Sequence, residues 1–304
     1  MEMPYLKSIR AGYREVKRVI RHGPGYPGLR YVAPTKILKA KAIETEISGD
    51  VTVCVLTSRK DWFACLWSLV SFYEFSGLRL PLLIYSDGTL EENHARQLAK
   101  VFPNARFIHS SVGESLVAKE LSCYPNCRRF RKLQPYARKI IDLPILGNSP
   151  YILILDSDVL FLRRPEELIQ YLGSNLCSRF VFERDFQEAY FATIDEIRER
   201  FSVDVASRVN VGIIAADVSN FDYAKIERWL AQDEVAQHPW AEQTLWAMYA
   251  GRERTTILGA AYDVTMAARV APGTVAKHYI GPIRDFLYTE GIPYLKRHLE
   301  LTLS

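Results

Sequence analysis

Three short apolar runs constrain this chain more than any other feature: Val51-Thr-Val-Cys-Val-Leu56, Pro81-Leu-Leu-Ile-Tyr85 and Tyr151-Ile-Leu-Ile-Leu155. Each is too short for a buried helix and unbroken rather than alternating, which is the pattern of a strand covered on both faces. Helical stretches separate them. Residues 61–76 (DWFACLWSLVSFYEFS) form a long apolar segment stopped by Gly77. Thr89-x-x-Glu92 and Ser111-x-x-Glu114 read as capping boxes that open two more helices, on either side of a short strand at Arg106-Phe-Ile-His109. Pro165-Glu-Glu supplies another helix start. This alternation predicts an α/β fold with a mostly parallel central sheet and helices on both faces. Past residue 180 the pattern loosens. It gives strands at 180–182 and 211–214 and helices near 223–231 and 240–250, with no internal repeat or low-complexity tract.

Composition bounds the class. A chain of 304 residues, 48% hydrophobic and 24% charged, has the makings of a globular protein and excludes collagen-like and disordered readings. No run approaches eighteen apolar residues, so no transmembrane helix is expected, and the first twenty residues lack the apolar middle of a secretory signal. Five cysteines (54, 65, 123, 127, 177) are an odd number that reads as reduced thiols in a cytosol. Cys123 and Cys127 lack the second pair that a zinc site would need.

The net charge of +4 is unevenly spread. Residues 1–41 carry ten Lys or Arg against two Glu, a net of +8, and the remainder holds 29 basic against 33 acidic groups, a net of −4. Leu6, Ile9, Tyr13, Val16 and Ile20 share one helical face, flanked by Lys7, Arg10, Arg14, Lys17, Arg18 and Arg21. A basic amphipathic helix suits an anionic membrane surface or a partner groove, or it docks on the protein's own body. Nucleic acid is not expected, because no stacking aromatics are interleaved with the basic residues. Residues 22–50, rich in Gly, Pro and Lys, read as a wrapping segment, so residues 1–50 are taken as a basic N-terminal extension and 51–304 as one main domain.

In open α/β sheets, ligands bind beyond the carboxyl ends of the strands. Those ends carry Thr57-Ser58, Ser86-Asp87 and Asp156-Ser157-Asp158. Two carboxylates straight after a buried strand repel each other unless a cation or strong donors compensate, and hard oxygen ligands suit Mg²⁺ or Mn²⁺. A phosphatase-type aspartyl nucleophile is the lesser alternative, since Leu160 stands where Thr or Val is expected.

Asp156-Ser-Asp158 after its apolar strand resembles the D-x-D motif of GT-A-fold glycosyltransferases, which use sugar nucleotides and a divalent cation. Further segments, in the right order over roughly 51–285, are similar to glycosyltransferase family 8. Asn210-Val-Gly-Ile213 resembles the strand beside the donor sugar. Trp240-Ala-Glu242-Gln243 resembles the D-Q pair with Glu in place of Asp, and His278-Tyr-Ile-Gly281-Pro282 resembles the segment whose His is the third metal ligand. Arg284 stands where a phosphate-contacting Lys is usual, and Lys132-Leu133 resembles a donor-contacting K-L pair. Asp61-Trp62 looks like the pair at the nucleotide base, and the turn from Asp87 is also similar.

The resemblance implies a GT-A fold with a nucleotide-binding half (51–160) and an acceptor half (161–304). It implies metal ligation by Asp156, Asp158 and His278, and catalytic roles for Glu242, Gln243 and Asn210. The donor contacts implied are Thr57, Ser58, Asp61, Trp62, Asp87, Lys132, Asp156, Ser157, Gly281 and Arg284. The expected activity is transfer of a sugar from a UDP-sugar, with retention, to a glycan, lipid-linked or protein acceptor on the cytoplasmic side. Alternatives are a sugar-nucleotide pyrophosphorylase, disfavoured because Leu56-Thr-Ser-Arg-Lys60 contains no glycine, and a catalytically silent binding domain.

Overall fold

A computed structural model describes residues 4–174 and 179–299, and the side chains of 4–11, Arg14 and Ser174 lie outside that description. Cys177 therefore falls outside it. The remaining cysteines are free, with Cys54, Cys65 and Cys127 buried.

Strands β1 (Val51–Thr57), β2 (Leu82–Ser86), β3 (Arg106–Ile108) and β4 (Tyr151–Leu155) occupy the predicted places. They are joined in one sheet by β6 (Phe180–Arg184), β7 (Val209–Asp217) and β8 (Thr255–Ile257), in the order β3-β2-β1-β4-β7-β6-β8. All pairings are parallel except those of β7, which runs against both neighbours. The carboxyl ends of β1, β2, β4 and β6 therefore share one edge with the start of β7.

Strand residues alternate between two cores, as the pleat requires. Val53, Val55, Leu153 and Leu155 face one core and Cys54, Ile152 and Ile154 the other. The first core takes helix α2 (Trp62–Ser76), whose all-round apolar sequence is explained by near-complete burial. Helices pack on the other face too, so both faces are covered as expected.

The two capping boxes form differently. Helix 92–101 starts after Glu91, whose side chain caps it together with His94, because the Thr89 hydroxyl donates to Asp87 Oδ1 at 2.7 Å. Helix 110–120 has no side-chain cap, and Glu114 pairs instead with Arg131 and Arg138.

A second, three-stranded sheet decides the site's geometry. Strands β5 (Val159–Phe161), β9 (Tyr262–Asp263) and β10 (Ala276–His278) lie in the order β5-β10-β9. β5 follows Asp158 directly, and β10 pairs antiparallel to it with His278 opposite Val159. The Tyr279 N–H donates to the Asp158 carbonyl at 2.9 Å, which fixes that register beside the Asp pair.

The segment after the N-terminal helix (Pro4–His22) wraps onto the body. Tyr26 and Ile37 are fully buried, and the Trp67 indole donates to the Pro34 carbonyl at 3.0 Å. No helix among the described residues is long and apolar enough to cross a membrane.

Candidate active site

A cavity of about 610 Å³ opens at the carboxyl edge of the main sheet. Thr57, Ser58, Asp61, Asp87, Asp156, Ser157, Asp158, Asn210, Glu242, Gln243, His278, Gly281 and Arg284 all line it. One ligand atom each from Asp156, Asp158 and His278 fall within 4.8 Å of one another, the only such group of three or more potential ligands among the described residues. His278 Nε2 stands 3.3 Å from Asp158 Oδ1 and 3.8 Å from Asp156 Oδ2.

The other face of the imidazole is held from behind. Nδ1 lies 2.9 Å from Asn210 Oδ1 and 3.5 Å from Glu183 Oε2. A proton on Nδ1 donated to the Asn210 amide oxygen leaves the Nε2 lone pair facing the two carboxylates, which is the tautomer a metal ligand needs. Two hard oxygen donors and an oriented imidazole fit a divalent cation such as Mn²⁺ or Mg²⁺. Without a cation the ring takes a proton. Burial works against the charged form, yet Asp158 and Glu183 override it and push the His278 pKa up to about 10. Asp158 is held down at about 2, because Arg284 and His278 outweigh the cost of its burial.

The N-x-G spacing has a steric reason. A Cβ on Gly212 would collide with His278 Nδ1 and sit 2.6 Å from Glu183 Oε2, so only glycine lets β7 pass this close behind the ring. Asn210 is itself positioned, donating from Nδ2 to Asp185 Oδ2 at 2.8 Å. Gln243 donates to the same carboxylate oxygen at 3.3 Å and to the Ala189 carbonyl at 3.0 Å. Asp185 thus ties the two amides together.

Lys139 and Glu242 form the opposite wall. Lys139 is buried on a short helix, Ala137–Ile141, with Nζ 2.9 Å from Asp156 Oδ1, 2.9 Å from the Val211 carbonyl and 3.7 Å from Glu242 Oε1. Burial disfavours its charge, but Asp156 and Glu242 overcome this and raise its pKa above the usual lysine range. Glu242 belongs to a helix, Ala241–Ala250, that is buried all round, which rules out a solvent-facing role. Burial is the main force lifting its pKa to about 7; Lys139 opposes the rise and Asp156 adds to it. Among the described residues Glu242 Oε1 has no hydrogen-bond partner.

Arg284 bridges Asp158 Oδ2 and Asp61 Oδ1, both at 3.2 Å. Gly281 borders the cavity with no protein atom within 4 Å of where a Cβ would lie.

Two expected residues lie elsewhere. Trp62 is buried, stacked on Phe63 with ring centroids 3.8 Å apart, and does not line the cavity. At the first turn of α2 its ring falls on the core side. Lys132 is exposed and also absent from the lining; the lysine in the cavity is Lys139, one helix later. Sequence reasoning missed Lys139, because beside Arg138 and close to Asp142 it reads as part of an ordinary charged helix. It also missed Asp185, which follows the carboxyl end of β6 as Asp156 follows that of β4.

Together these features define a GT-A-type glycosyltransferase fold. Sequence comparison finds no matching family model and no curated relative. Among solved structures the chain resembles the galactosyltransferase LgtC in complex with donor and acceptor sugar analogues. That match has TM-score 0.51 and 15% identity, covering 76% of this chain and 87% of LgtC. The mannosyltransferase Ktr4p from S. cerevisiae matches with TM-score 0.49 and 12% identity over 90% of this chain and 91% of its own. Mouse xyloside xylosyltransferase 1 gives TM-score 0.46 and 11% identity over 78% and 99%. At 15% identity the likeness to LgtC is one of fold.

Proposed function

We propose that the protein is a metal-dependent glycosyltransferase that moves a sugar from a UDP-sugar to a carbohydrate or lipid-linked acceptor, with the family 8 pattern of retention. The observation that carries this reading is the convergence of Asp156, Asp158 and an oriented His278 at the carboxyl edge of the sheet, inside a cavity of about 610 Å³. A bound Mn²⁺ or Mg²⁺ would supply electrostatic stabilisation of the departing diphosphate.

The chain's own residues do the rest. Arg284 offers a guanidinium beside Asp158 to the same developing charge, and Gly281 leaves its backbone open to a close approach. Thr57, Ser58, Asp61 and Asp87, from the β1 and β2 ends, form the nucleoside side of the cavity. Tyr136 is exposed at the cavity and offers the aromatic surface for the base that Trp62 does not. Lys139 keeps Asp156 in place, and the Asp185 hub fixes the Gln243 amide toward the sugar. Trp240 and Met266, each 44% exposed on the lining, supply apolar surface of the kind that packs on a sugar ring, and we assign them to the acceptor side.

Thermal-shift titration with UDP-, GDP- and dTDP-sugars, each with and without Mn²⁺, tests the reading. A stabilisation by UDP-sugar that requires Mn²⁺ is expected, and proton NMR of the transferred sugar then reads the anomeric outcome. No response to any nucleotide sugar under either condition refutes the proposal.

A further inference from the structure

The N-terminal helix docks on the body by the wrong face. Glu15, Arg18 and His22, at i, i+3 and i+7, turn inward. Glu15 accepts from the Tyr31 hydroxyl at 3.0 Å, Arg18 Nε pairs with Asp285 Oδ2 at 3.0 Å, and the His22 ring stacks on Tyr26. Val19, on the same face, is half-buried. The apolar stripe points the other way. Tyr13, Val16 and Ile20 are 68, 59 and 79% exposed, and Leu6 and Ile9 continue their spacing in the sequence. An ordinary surface helix does the reverse, turning its apolar stripe to the core. Tyr31 and Val32, in the segment that bonds to Glu15, are also exposed, so five of the twelve exposed large apolar residues described belong to the first 32 positions.

From this geometry we infer that the helix and its following turn form a docking face for an anionic phospholipid surface. Charge complementarity selects the occupant. Lys17 and Arg21 are exposed beside the stripe, within a segment of ten basic and two acidic residues. Anionic headgroups meet the basic flank while Val16 and Ile20 enter the acyl boundary. A second copy of the same face would bring two basic arms together, and nucleic acid would leave the apolar stripe wet. The contact also orients the catalytic edge. Asp285, the anchor of Arg18, follows Arg284, and Arg18, Arg30 and Asp285 line a cavity of about 240 Å³ that shares Asp61, Gly281 and Arg284 with the larger one. That a docked protein reaches a lipid-linked acceptor rests on the transferase reading; the docking face does not.

The test is cosedimentation of the full chain with vesicles of phosphatidylglycerol and phosphatidylcholine, against vesicles of phosphatidylcholine alone. Binding to the anionic vesicles is expected, weakened by raised salt. The double substitution Val16→Glu, Ile20→Glu is expected to lower the bound fraction by about tenfold or more. Its melting temperature and its response to UDP-sugar with Mn²⁺ should not change, and that response reads the transferase proposal separately. Equal sedimentation with both vesicle types, no sedimentation at all, or unchanged binding by the double variant overturns the inference. So does a wild-type dimer in light scattering that the double variant converts to a monomer while neither binds vesicles.

Discussion

Replacing Lys139 by Met isolates how the cavity carries its negative charge. The ammonium is buried, 2.9 Å from Asp156 and 3.7 Å from Glu242, and is the nearest cation to both. Met keeps most of the volume and removes the charge, leaving Asp156 with an unpaired oxygen and the Val211 carbonyl without its donor. Breaking one side of a buried pair costs about 3–5 kcal/mol, far more than an exposed pair is worth. With an unfolding entropy near 2.1 cal/mol/K per residue, a chain this long should lose about 5–8 °C in melting temperature. Scanning calorimetry at pH 7.5 in EDTA measures this directly. Adding Mn²⁺ should then recover more stability in the variant than it adds to the wild type, because a cation at Asp156 replaces part of the missing charge. A melting temperature within a degree or two of wild type in EDTA would refute the reasoning, showing that Lys139 does not offset these carboxylates.

Glu242→Gln should change the pH dependence of stability. The wild-type side chain titrates near pH 7 when folded, above its ordinary value of 4.5, so the folded chain holds the extra proton between those limits. Stability is therefore full below about pH 4.5 and is lost as pH rises through 7, by about 3 kcal/mol in all, and Gln lacks this loss. Urea midpoints at pH 4.5, 6 and 8 that run parallel for the two proteins would contradict this. Asp158→Ala should weaken Mn²⁺ binding by more than the roughly ten- to hundredfold that losing an outer-shell partner costs, read by calorimetric titration; unchanged Mn²⁺-dependent UDP affinity sinks the ligand assignment. Gly212→Ala should cost about 1–3 kcal/mol by overpacking against His278 and Glu183, and should weaken Mn²⁺ binding as the ring is displaced. A variant with wild-type stability and metal affinity would show that β7 can yield there. For Arg284→Ala, Mn²⁺ titrated alone should bind more tightly, because the guanidinium no longer occupies Asp158, while UDP binding at saturating Mn²⁺ weakens; if both weaken, Arg284 serves only to hold Asp158.

Most of the main sheet was legible because β1, β2, β4 and β7 are buried on both faces, so each reads as an apolar run, whereas β8, half-buried throughout, offered no such run and was not read. Nor were β5, β9 and β10. They are two or three residues long, and what makes them strands is pairing with one another, which leaves no local period to detect. The capping boxes show the converse failure. Thr89 and Glu114 had the right types at the right spacing, but Asp87 took one side chain and two arginines the other. A nearer local partner overrode the first contact and tertiary partners the second.

The site divides along the same line. Residues at strand ends were found because the topology sends every such end of a parallel sheet to one edge, and the chain order of the ends is visible in the text. Asp185 obeys the same rule and was missed only because β6 looked like part of a looser region. Lys139 is a different case. Its role depends on a helix of five residues folding back against the start of β7, and nothing in residues 137–141 states that Asp156, seventeen positions on, will be its partner. The likeness of Lys132-Leu133 to a K-L pair drew attention to Lys132 instead, a residue of the right type on the exposed side of the preceding helix. What separates the two lysines is burial. A lysine flanked by Ala137, Ile140 and Ile141 cannot enter a core as a charge unless a carboxylate waits there, and the Asp pair following five apolar residues at 151–155 is the group in greatest need of one. In the text Lys139 stands between Arg138 and Ile140 with Asp142 three residues on, so its need for Asp156 becomes visible only once the fold has buried it.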